Sequence, residues 1–334
     1  MTISDFHTQD ALVQAARLDV LARQALNAYG LADATFTLAA YTNNAVYRAD
    51  AGDQYYALRI HRPGHRQLAW IESELQWLKF LSHETPLIVP HPVNDIYTGT
   101  LEGVERPVYC VLFDWIEGET GAARELTLGE IRAVGGFCGL LHHYSAKFIP
   151  AGDFERPRRD WVGLFGNESD YAHDSFNDEQ QAIITETSQQ VREVMNSLDN
   201  QPNNFGLIHA DLIAKNLFFQ EGQVGAIDFD DCGYGYFLYD LAPLLWFART
   251  EPGYADLRKA LWEGYTAVRP QPESHFALLE TFVAARHVAS CRWIIGNQEH
   301  PAIRGHVPEI IATRIDELRH FLKYGVMQTD ANHI

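Results

Sequence analysis

One stretch of the sequence contains the residue types that phosphoryl transfer requires. Residues 209–216 place His209, Asp211 and Asn216 in the spacing H-x-D-x-x-x-x-N, and Asp228 follows at the end of an apolar run. Phosphoryl transfer needs a carboxylate to orient the attacking hydroxyl, and an amide with a second carboxylate to hold Mg²⁺ on the phosphates. Asp211 is therefore a candidate catalytic carboxylate, and Asn216 and Asp228 are candidate magnesium ligands.

The residues between Asn216 and Asp228 predict a β-hairpin. Residues 217–219 are apolar and favour a strand, residues 221–223 contain a glycine and favour a turn, and residues 224–227 favour the return strand. A hairpin would bring Asp228 back to Asn216 at its open end. A histidine-x-aspartate pair alone is common, and its aspartate is usually a turn or capping residue. The agreement between residue types and intervening structure favours the catalytic interpretation.

The phrase GLIHADL…N…DFDDCGYGYFLYDLA, from Gly206 to Ala242, resembles the kinase-like small-molecule phosphotransferases. This superfamily includes aminoglycoside phosphotransferases and choline kinases, and the chain looks most similar to its branch of type II homoserine kinases and stress-response kinases. The resemblance implies a bilobal, protein-kinase-like α+β fold, in which an antiparallel-sheet lobe with one inserted helix precedes a mainly helical lobe. It implies a nucleotide-binding lobe at residues 1–115, and a lobe with the catalytic loop and acceptor site at residues 116–334.

Hydrophobic periodicity is compatible with this plan. In the first lobe it predicts helices over residues 8–29 and 70–81 and strands over residues 36–40, 45–49, 55–60, 95–97 and 107–113. In the second lobe it predicts helices over residues 128–144, 179–198, 239–249, 254–267, 273–295 and 308–324, interrupted only by the hairpin. The irregular stretch 150–170 contains Arg156, Arg158 and Arg159, and it predicts a surface loop.

Two segments of the first lobe are candidate nucleotide contacts by resemblance. Protein kinases cover the ATP phosphates with a glycine-rich loop, whereas this chain has Asn43 and Asn44 in that place. Asparagine can adopt the left-handed conformation that glycine usually supplies, although a plain hairpin turn explains these residues equally well. The later segment resembles the interlobe hinge, whose backbone would meet the adenine edge, with Val111, Phe113 and Trp115 as candidates.

Arg59 occupies the position where the kinase pattern has a phosphate-binding lysine. A guanidinium binds phosphate bidentately, but it is longer and planar, so the exchange is not neutral. The alternative is that Arg59 is a surface strand residue. In the inserted helix, Glu74 lies closer than Glu72 to the centre of the apolar stripe, so Glu74 is predicted to pair with Arg59 and Glu72 to be solvated.

The resemblance also implies supporting roles around the catalytic carboxylate. His209 would support the loop, and Lys215 would aid the γ-phosphate. Asp240 would brace the backbone of the catalytic loop, although a helix N-terminal carboxylate is the competing explanation. Asp230 and Asp231 add two further carboxylates next to this site in the sequence. Either one of them helps to bind metal or a polar substrate, or they serve as solvated or capping residues.

Two other segments contain histidines or arginines. Residues 141–145 are similar to the family pattern L-H-x-x-S, and their histidines are predicted to be structural because no third metal ligand is evident. Arg286, His287, Arg292 and Trp293 share a late helix. They are predicted either to line the acceptor pocket or to extend along the surface with their polar ends in water.

Composition limits the possible partners. The 334 residues carry a formal net charge of −18, which argues against a nucleic-acid surface and would suit a cationic substrate. No stretch approaches about 18 uninterrupted apolar residues, so no membrane-spanning helix is expected, and the N-terminus does not resemble a signal peptide. The four cysteines are widely spaced and are predicted to be buried free thiols in a reducing cytoplasm. The oligomeric state stays open.

The activity implied by the resemblance is transfer of the γ-phosphate of ATP, with Mg²⁺, to a hydroxyl of a small molecule. The acceptor would be an amino alcohol, a homoserine-like compound, a sugar or an aminoglycoside, and transfer would be direct. One alternative is a stress-response type Ser/Thr protein kinase, but the short segment between Asp228 and Asp240 leaves little room for an activation loop. The other is a nucleotide-binding pseudokinase, which Arg59 and the glycine-free loop favour weakly and the intact catalytic residues oppose.

Overall fold

The chain divides into two structural units in its computed structural model. Unit 1 comprises Met1–Glu117 and Ile149–Glu155, and unit 2 comprises Gly118–Phe148 and Arg156–Ile334. The structure describes residues 6, 9, 11–41, 44–165, 176–198, 203–298 and 303–327. The assignment of nucleotide binding to one lobe and of catalysis to the other remains a prediction.

Unit 1 contains an antiparallel sheet and helices α1 (Ala11–Ala28) and α2 (Leu68–Glu84). Its strands are β1 (Thr35–Tyr41), β2 (Asn44–Ala51), β3 (Gln54–His61), β4 (Tyr97–Gly99) and β5 (Val108–Asp114). They lie in the order β1-β2-β3-β5-β4, and each neighbouring pair is antiparallel. The predicted elements of this region are confirmed, with β4 displaced toward residue 99.

The core of unit 1 lies between α1 and one face of the sheet. Leu58 and Ile60 of β3 are fully buried there with Leu18 and Leu21 of α1. Successive side chains of a strand point to opposite faces. Arg59 therefore points away from this core, toward the other face of the sheet.

Unit 2 is mainly helical in the residues described. Its helices are α3 (Leu128–Ser145), α4 (Trp161–Phe165), α5 (Asp178–Leu198), α6 (Phe237–Ala248), α7 (Tyr254–Val268), α8 (Ser274–Gly296) and α9 (Val307–Tyr324). Its strands are β6 (Glu119–Thr120), β7 (Arg158–Arg159), β8 (Phe205–Ile208), β9 (Leu217–Gln220), β10 (Gln223–Ala226) and β11 (Gly233–Tyr236). The predicted helices are confirmed, and so is the hairpin, whose turn at Glu221 and Gly222 has φ values of +50° and +80°. Positive φ at both central residues is typical of a type I′ turn.

The prediction that the hairpin alone interrupts the helices was wrong. β11 pairs with β7 in parallel and with β8 antiparallel, and β6 joins the edge of β9. These strands are two to four residues long, too short for alternation to be distinguished from a loop. Their pairing matters for the site, because the segment after β8 and the segment before β11 are thereby brought together.

Two glycines allow α3 and α7 to approach closely. A Cβ at Gly135 would lie 2.1 Å from a backbone oxygen of α7, and a Cβ at Gly264 would lie 1.9 Å from a backbone oxygen of α3. A larger residue at either position would force the helices apart. This approach places His142, near the end of α3, with its Nδ1 atom 3.1 Å from the Tyr265 hydroxyl on α7.

The cysteines and the helices bear on two expectations from composition. Cys110, Cys138, Cys232 and Cys291 are all free and buried, which confirms the prediction of buried thiols. In the described residues, no helix is long and apolar enough to cross a membrane.

Candidate active site

Residues 209–216, which we call the catalytic loop, follow β8 directly. The Asn216 Nδ2 atom donates to the Asp211 backbone oxygen at 2.9 Å and to Asp211 Oδ2 at 3.2 Å. The Asn216 backbone oxygen accepts from the Ile227 N–H at 2.9 Å. The hairpin thus returns the chain to Asn216 one residue before Asp228, as the sequence predicts.

The donor set at this end of the hairpin fits a magnesium ion. Because the Asn216 amide nitrogen is used on Asp211, its oxygen is the atom left to face a metal. Asp228 adds a carboxylate and has a φ of +66°, a left-handed conformation that aspartate tolerates better than most residues. Mg²⁺ commonly takes one or two protein oxygens and completes its octahedron with water and phosphate oxygens. Among the described residues, no group of three or more His, Cys, Asp or Glu could form a denser metal site.

Asp240 on α6 holds the start of the catalytic loop. Its carboxylate accepts from the His209 N–H at 2.8 Å and from the Ala210 N–H at 2.6 Å. Ala210 has a φ of +70°, which is costly for a non-glycine residue and persists where surrounding contacts impose it. The geometry is that of a backbone brace, the role that the resemblance implies.

His142 extends this brace to α3. Its Nε2 atom lies 3.0 Å from Asp240 Oδ2 and both residues are fully buried. Burial lowers the pKa of His142 more than the neighbouring Asp240 raises it. A neutral imidazole can donate from Nε2 to Asp240 and accept at Nδ1 from Tyr265, which fits both contacts. His142 is structural in this arrangement, as predicted for residues 141–145.

His209 connects the catalytic loop to the hairpin. Its Nε2 atom lies 3.0 Å from the Ile227 backbone oxygen, and its Nδ1 atom accepts from the Asp211 N–H at 3.3 Å. The side chain is fully buried. These contacts fit the supporting role implied by the resemblance.

The prediction of a surface loop over residues 150–170 was wrong at Arg156 and Arg159, whereas residues 150–153 are exposed as predicted and residues 166–170 lie outside the described residues. Arg156 is buried and donates to the backbone oxygens of Cys232 at 2.7 Å and Asp230 at 2.8 Å. Arg159, in β7, donates to the Asp231 backbone oxygen at 2.8 Å and to its carboxylate at 2.9 Å. The arginines therefore stabilise the turn that follows Asp228. The sequence around these arginines resembles a loop. Their binding partners lie more than seventy residues away in the chain, so no local pattern could reveal them.

Arg286 on α8 contacts the candidate catalytic carboxylate directly. Its Nη2 atom lies 2.5 Å from Asp211 Oδ1. Burial alone would lower the pKa of Arg286, but Asp211 and Tyr239 outweigh it and the pKa is raised. The sequence placed Arg286 among possible acceptor-pocket residues but did not pair it with Asp211, because no local pattern connects two residues 75 positions apart.

The other three residues that share the late helix with Arg286 have different surroundings. His287 is fully buried, Arg292 donates to the Leu164 backbone oxygen at 2.8 Å, and Trp293 is partly exposed. The His287 ring accepts at Nδ1 from the Trp246 indole N–H at 2.9 Å, and its Nε2 lies 3.0 Å from the Arg314 backbone oxygen. The His287 ring therefore packs in the core. The sequence predicted that it would either line the acceptor pocket or extend along the surface, and neither describes this position.

His287 should make the folded state less stable as pH falls. Burial and the adjacent charge of Arg314 hold its pKa well below the ordinary value, even though Glu317 Oε2 lies 3.2 Å from Nε2. Below about pH 6.5 the unfolded chain binds a proton that the buried ring does not, so the free energy of unfolding falls by ~1.4 kcal/mol per pH unit for this group. Urea unfolding between about pH 7.5 and pH 5.5 should show a shallower decline in His287→Gln than in the wild type. Equal slopes would contradict a neutral buried His287.

In unit 1, Arg59 and Glu74 form a buried bidentate ion pair. Arg59 Nη1 lies 2.8 Å from Glu74 Oε1 and Arg59 Nη2 lies 2.7 Å from Oε2. Arg59 is 6% exposed and Glu74 is fully buried, whereas Glu72 is exposed. The pairing agrees with the helical periodicity, and Arg59 is not a surface strand residue. Its contact with phosphate remains a prediction.

Removing one member of this pair should destabilise the protein. Arg59→Met leaves the Glu74 carboxylate buried without its partner, which we expect to lower the free energy of unfolding by about 3–5 kcal/mol. Glu74→Gln with Arg59→Met together should recover part of that loss, because no unpaired charge is left. Urea unfolding measures both. The control is Arg48→Gln, which breaks a half-exposed pair with Asp50 and should lower the free energy of unfolding by about 1 kcal/mol or less. If Arg59→Met lowered it by no more than Arg48→Gln, the prediction would be contradicted.

The remaining nucleotide candidates lie on or near the sheet of unit 1. Val111 pairs with Arg59 and Phe113 with Ala57, so their backbones are used within the sheet. The Phe113 ring lies 5.0 Å from the Arg59 guanidinium. Both side chains are buried as well, so neither residue offers the free backbone edge expected of a hinge. Trp115 donates its backbone N–H to the Tyr55 oxygen at 3.0 Å.

The remaining candidates are Asn43 and Asn44, from the predicted phosphate-covering loop, and Lys215. Asn43 lies outside the described residues. Asn44 begins β2 opposite His61 and is not among the positive-φ residues, because strand pairing requires an extended backbone. Lys215 lies within the catalytic loop and has an exposed side chain.

The chain belongs to the phosphotransferase enzyme family. Residues 37–275, which include both the Arg59–Glu74 pair and the catalytic loop, match the family model described as "APH: Phosphotransferase enzyme family". The chain is therefore a phosphotransferase, and the family resemblance drawn from the sequence is confirmed.

Two solved structures show the same fold over most of their length, and a further relative is similar in sequence. A solved structure of the microcompartment-associated aminopropanol kinase is 25% identical, with a TM-score of 0.80 over 91% of this chain and 97% of that chain. A complex of the amicoumacin kinase hAmiN with AMP-PNP, Ca²⁺ and Ami is 19% identical, with a TM-score of 0.73 over 89% and 91%. The homoserine kinase of Gluconobacter oxydans is 28% identical over 72% of this chain and 74% of its own length. The two structural matches confirm the predicted kinase-like α+β fold.

Proposed function

We propose that the chain transfers the γ-phosphate of ATP, with Mg²⁺, to a hydroxyl of a small molecule. The observation that supports this best is the arrangement around Asp211. Its backbone and carboxylate are held by Asn216, and the preceding residues are held by Asp240. Such a rigid, braced carboxylate meets the requirement for positioning in phosphoryl transfer.

In this proposal Asp211 accepts the proton of the acceptor hydroxyl as its oxygen attacks the γ-phosphorus. Asn216 and Asp228 would hold Mg²⁺, which supplies charge neutralisation on the phosphate oxygens. His209 and Asp240 act by holding the loop, and Lys215, whose side chain is exposed, would approach the phosphate from solvent. No covalent enzyme intermediate is needed, because the hydroxyl attacks the phosphate directly.

For the nucleotide, we propose that Arg59 contacts the α- and β-phosphates while Glu74 fixes its guanidinium. Two parallel N–H···O bonds orient the planar group, which a single contact would not. The complex of hAmiN with AMP-PNP and Ca²⁺ supports nucleotide and divalent metal use by this fold. Mg²⁺ and ATP are our assignments for this chain.

The acceptor class we propose is a small hydroxylated metabolite. Relatives named for aminopropanol, amicoumacin and homoserine support a small molecule over a protein. We also propose a cytoplasmic location, because the four buried free thiols suit a reducing compartment where ATP is present.

ADP release with ATP and Mg²⁺ tests the proposal across amino alcohols, hydroxy amino acids, sugars, aminoglycosides and a generic protein substrate. We expect one class of small acceptor to stimulate ADP release and the protein substrate not to do so. ATP binding without stimulation by any acceptor would favour the pseudokinase alternative. Stimulation by the protein alone would favour a protein kinase.

A further inference from the structure

We propose that Arg286 recognises a carboxylate on the acceptor, so that the physiological acceptor is a short hydroxy acid, such as a hydroxy amino acid, rather than a simple amino alcohol or a sugar. This inference rests on the proposed function and assigns the substrate class of the same site. Its basis is a permanent positive charge held against the atom that would receive the hydroxyl proton.

The first observation is distance. The Arg286 Nη2 atom lies 2.5 Å from Asp211 Oδ1, while Asp211 Oδ2 is within reach of Asn216 Nδ2 at 3.2 Å. A hydroxyl presented to Asp211 would therefore have the guanidinium as its immediate neighbour. A carboxylate separated from that hydroxyl by only a few bonds would lie beside Arg286.

The second observation is the unused capacity of the guanidinium. An arginine has five N–H donors. Arg286 donates to Asp211, interacts with the Tyr239 hydroxyl and lies 5.5 Å from the Trp246 ring. Its Nε is buried, so a ligand would meet the Nη groups. The Arg286 side chain is 23% exposed and that of Asp211 is 14% exposed, so a ligand can approach the pair.

The third observation is the charge of the surroundings. Asp231, the other carboxylate that interacts with Arg286, is already paired with Arg159 at 2.9 Å. A purely cationic acceptor would therefore meet the Arg286 charge beside Asp211. An acceptor carboxylate would instead satisfy the guanidinium with charge-assisted, bidentate bonds, which are the strongest that this side chain forms.

The competing explanation is that Arg286 only orders Asp211. The two roles predict different kinetics. A residue that only orders the catalytic carboxylate affects all acceptors equally, whereas a residue that binds an acceptor carboxylate affects only acceptors that carry one. The decisive quantity is therefore the ratio of kcat/KM values between two acceptors that differ only in the carboxylate.

The experiment uses matched acceptor pairs: L-homoserine with 3-aminopropan-1-ol, L-serine with ethanolamine, and L-threonine with 1-aminopropan-2-ol. Each pair is measured with the wild type, Arg286→Gln and Arg286→Lys, and folding is checked by thermal unfolding. Arg132→Gln is the charge-matched control, because it breaks an exposed pair with Glu263 on the same unit. Arg286→Lys keeps the positive charge, and it replaces Arg286→Gln in the test if that variant is poorly folded.

We expect the carboxylate member of at least one pair to exceed its partner by about tenfold or more in kcat/KM, and Arg286→Gln to reduce that ratio by a similar factor. Arg286→Lys should keep part of the preference, and Arg132→Gln should leave it unchanged. The inference would be overturned by equal use of both members of each pair, by preference for the amine, or by activity with sugars or aminoglycosides alone. A ratio that neither Arg286 variant changes would also overturn it. Each of these results would leave the proposed function standing. Absence of phosphorylation with every acceptor would overturn both.

Discussion

Asp211→Asn should lower kcat by about 10²–10⁴-fold, because the variant removes the carboxylate that receives the acceptor proton. The amide is nearly isosteric, and its oxygen can still accept from Arg286 at the Oδ1 position. Asn216 also donates to the backbone oxygen of residue 211, which the substitution leaves in place, so the loop should keep its position. Nucleotide affinity should change little, since Asp211 does not belong to the proposed phosphate or metal contacts. Steady-state ADP release and a nucleotide-induced rise in melting temperature measure the two quantities separately.

The control for this variant is Asp316→Asn. Asp316 is a well-exposed aspartate on α9 that pairs with Arg319. Asp316→Asn changes the charge by the same amount as Asp211→Asn and should keep wild-type turnover. Full activity of Asp211→Asn would contradict the assignment of Asp211. Loss of both turnover and nucleotide binding would instead mean that the loop had been disrupted.

Asp240→Asn should destabilise the protein by about 3 kcal/mol and also lower turnover. The carboxylate accepts from two adjacent backbone N–H groups and lies within hydrogen-bond distance of His142. An amide has one oxygen, so its NH₂ group must face at least one of these donors in a fully buried place. Ala210 would then lose the contact that stabilises its left-handed backbone. Urea unfolding and kcat measure the two effects.

Asp256→Asn is the matched control for Asp240. Asp256 also lies in the first turn of a helix but is exposed, so its carboxylate interacts mainly with the helix dipole, an effect of about 0.3–1 kcal/mol. If Asp240 were merely a helix N-terminal carboxylate, the two variants would lose similar stability. A much larger loss for Asp240→Asn is the result that the brace requires.

Much of the fold follows from local patterns in the sequence. The helices of both units have apolar periodicities that are long enough to be recognised. The β9–β10 hairpin is recognised instead by two apolar runs that flank a glycine-containing turn. Glu74 could be separated from Glu72 because a helix has a known angular repeat and a clear apolar stripe. The positions of Asp211, Asn216 and Asp228 could be predicted together because the hairpin between them is itself a local structure.

What the sequence could not predict depends on contacts between distant segments. Arg156 and Arg159 read as loop residues, since the carbonyl groups that bind them lie in the turn after Asp228. Arg286 had no recognisable connection to Asp211, because α8 and the catalytic loop meet only after the helices pack. Short strands such as β7 and β11 have too few residues for a periodicity and are defined by their partners.

The most direct test of the central claim follows the phosphate itself. The enzyme is incubated with γ-³²P-labelled ATP, Mg²⁺ and the acceptor that stimulates ADP release, and the label is traced to the acceptor, the protein or free phosphate. We predict label on the acceptor in the wild type, none retained on the protein, and almost none transferred by Asp211→Asn. Label on the protein, or release only as inorganic phosphate, would contradict direct transfer to a small-molecule hydroxyl.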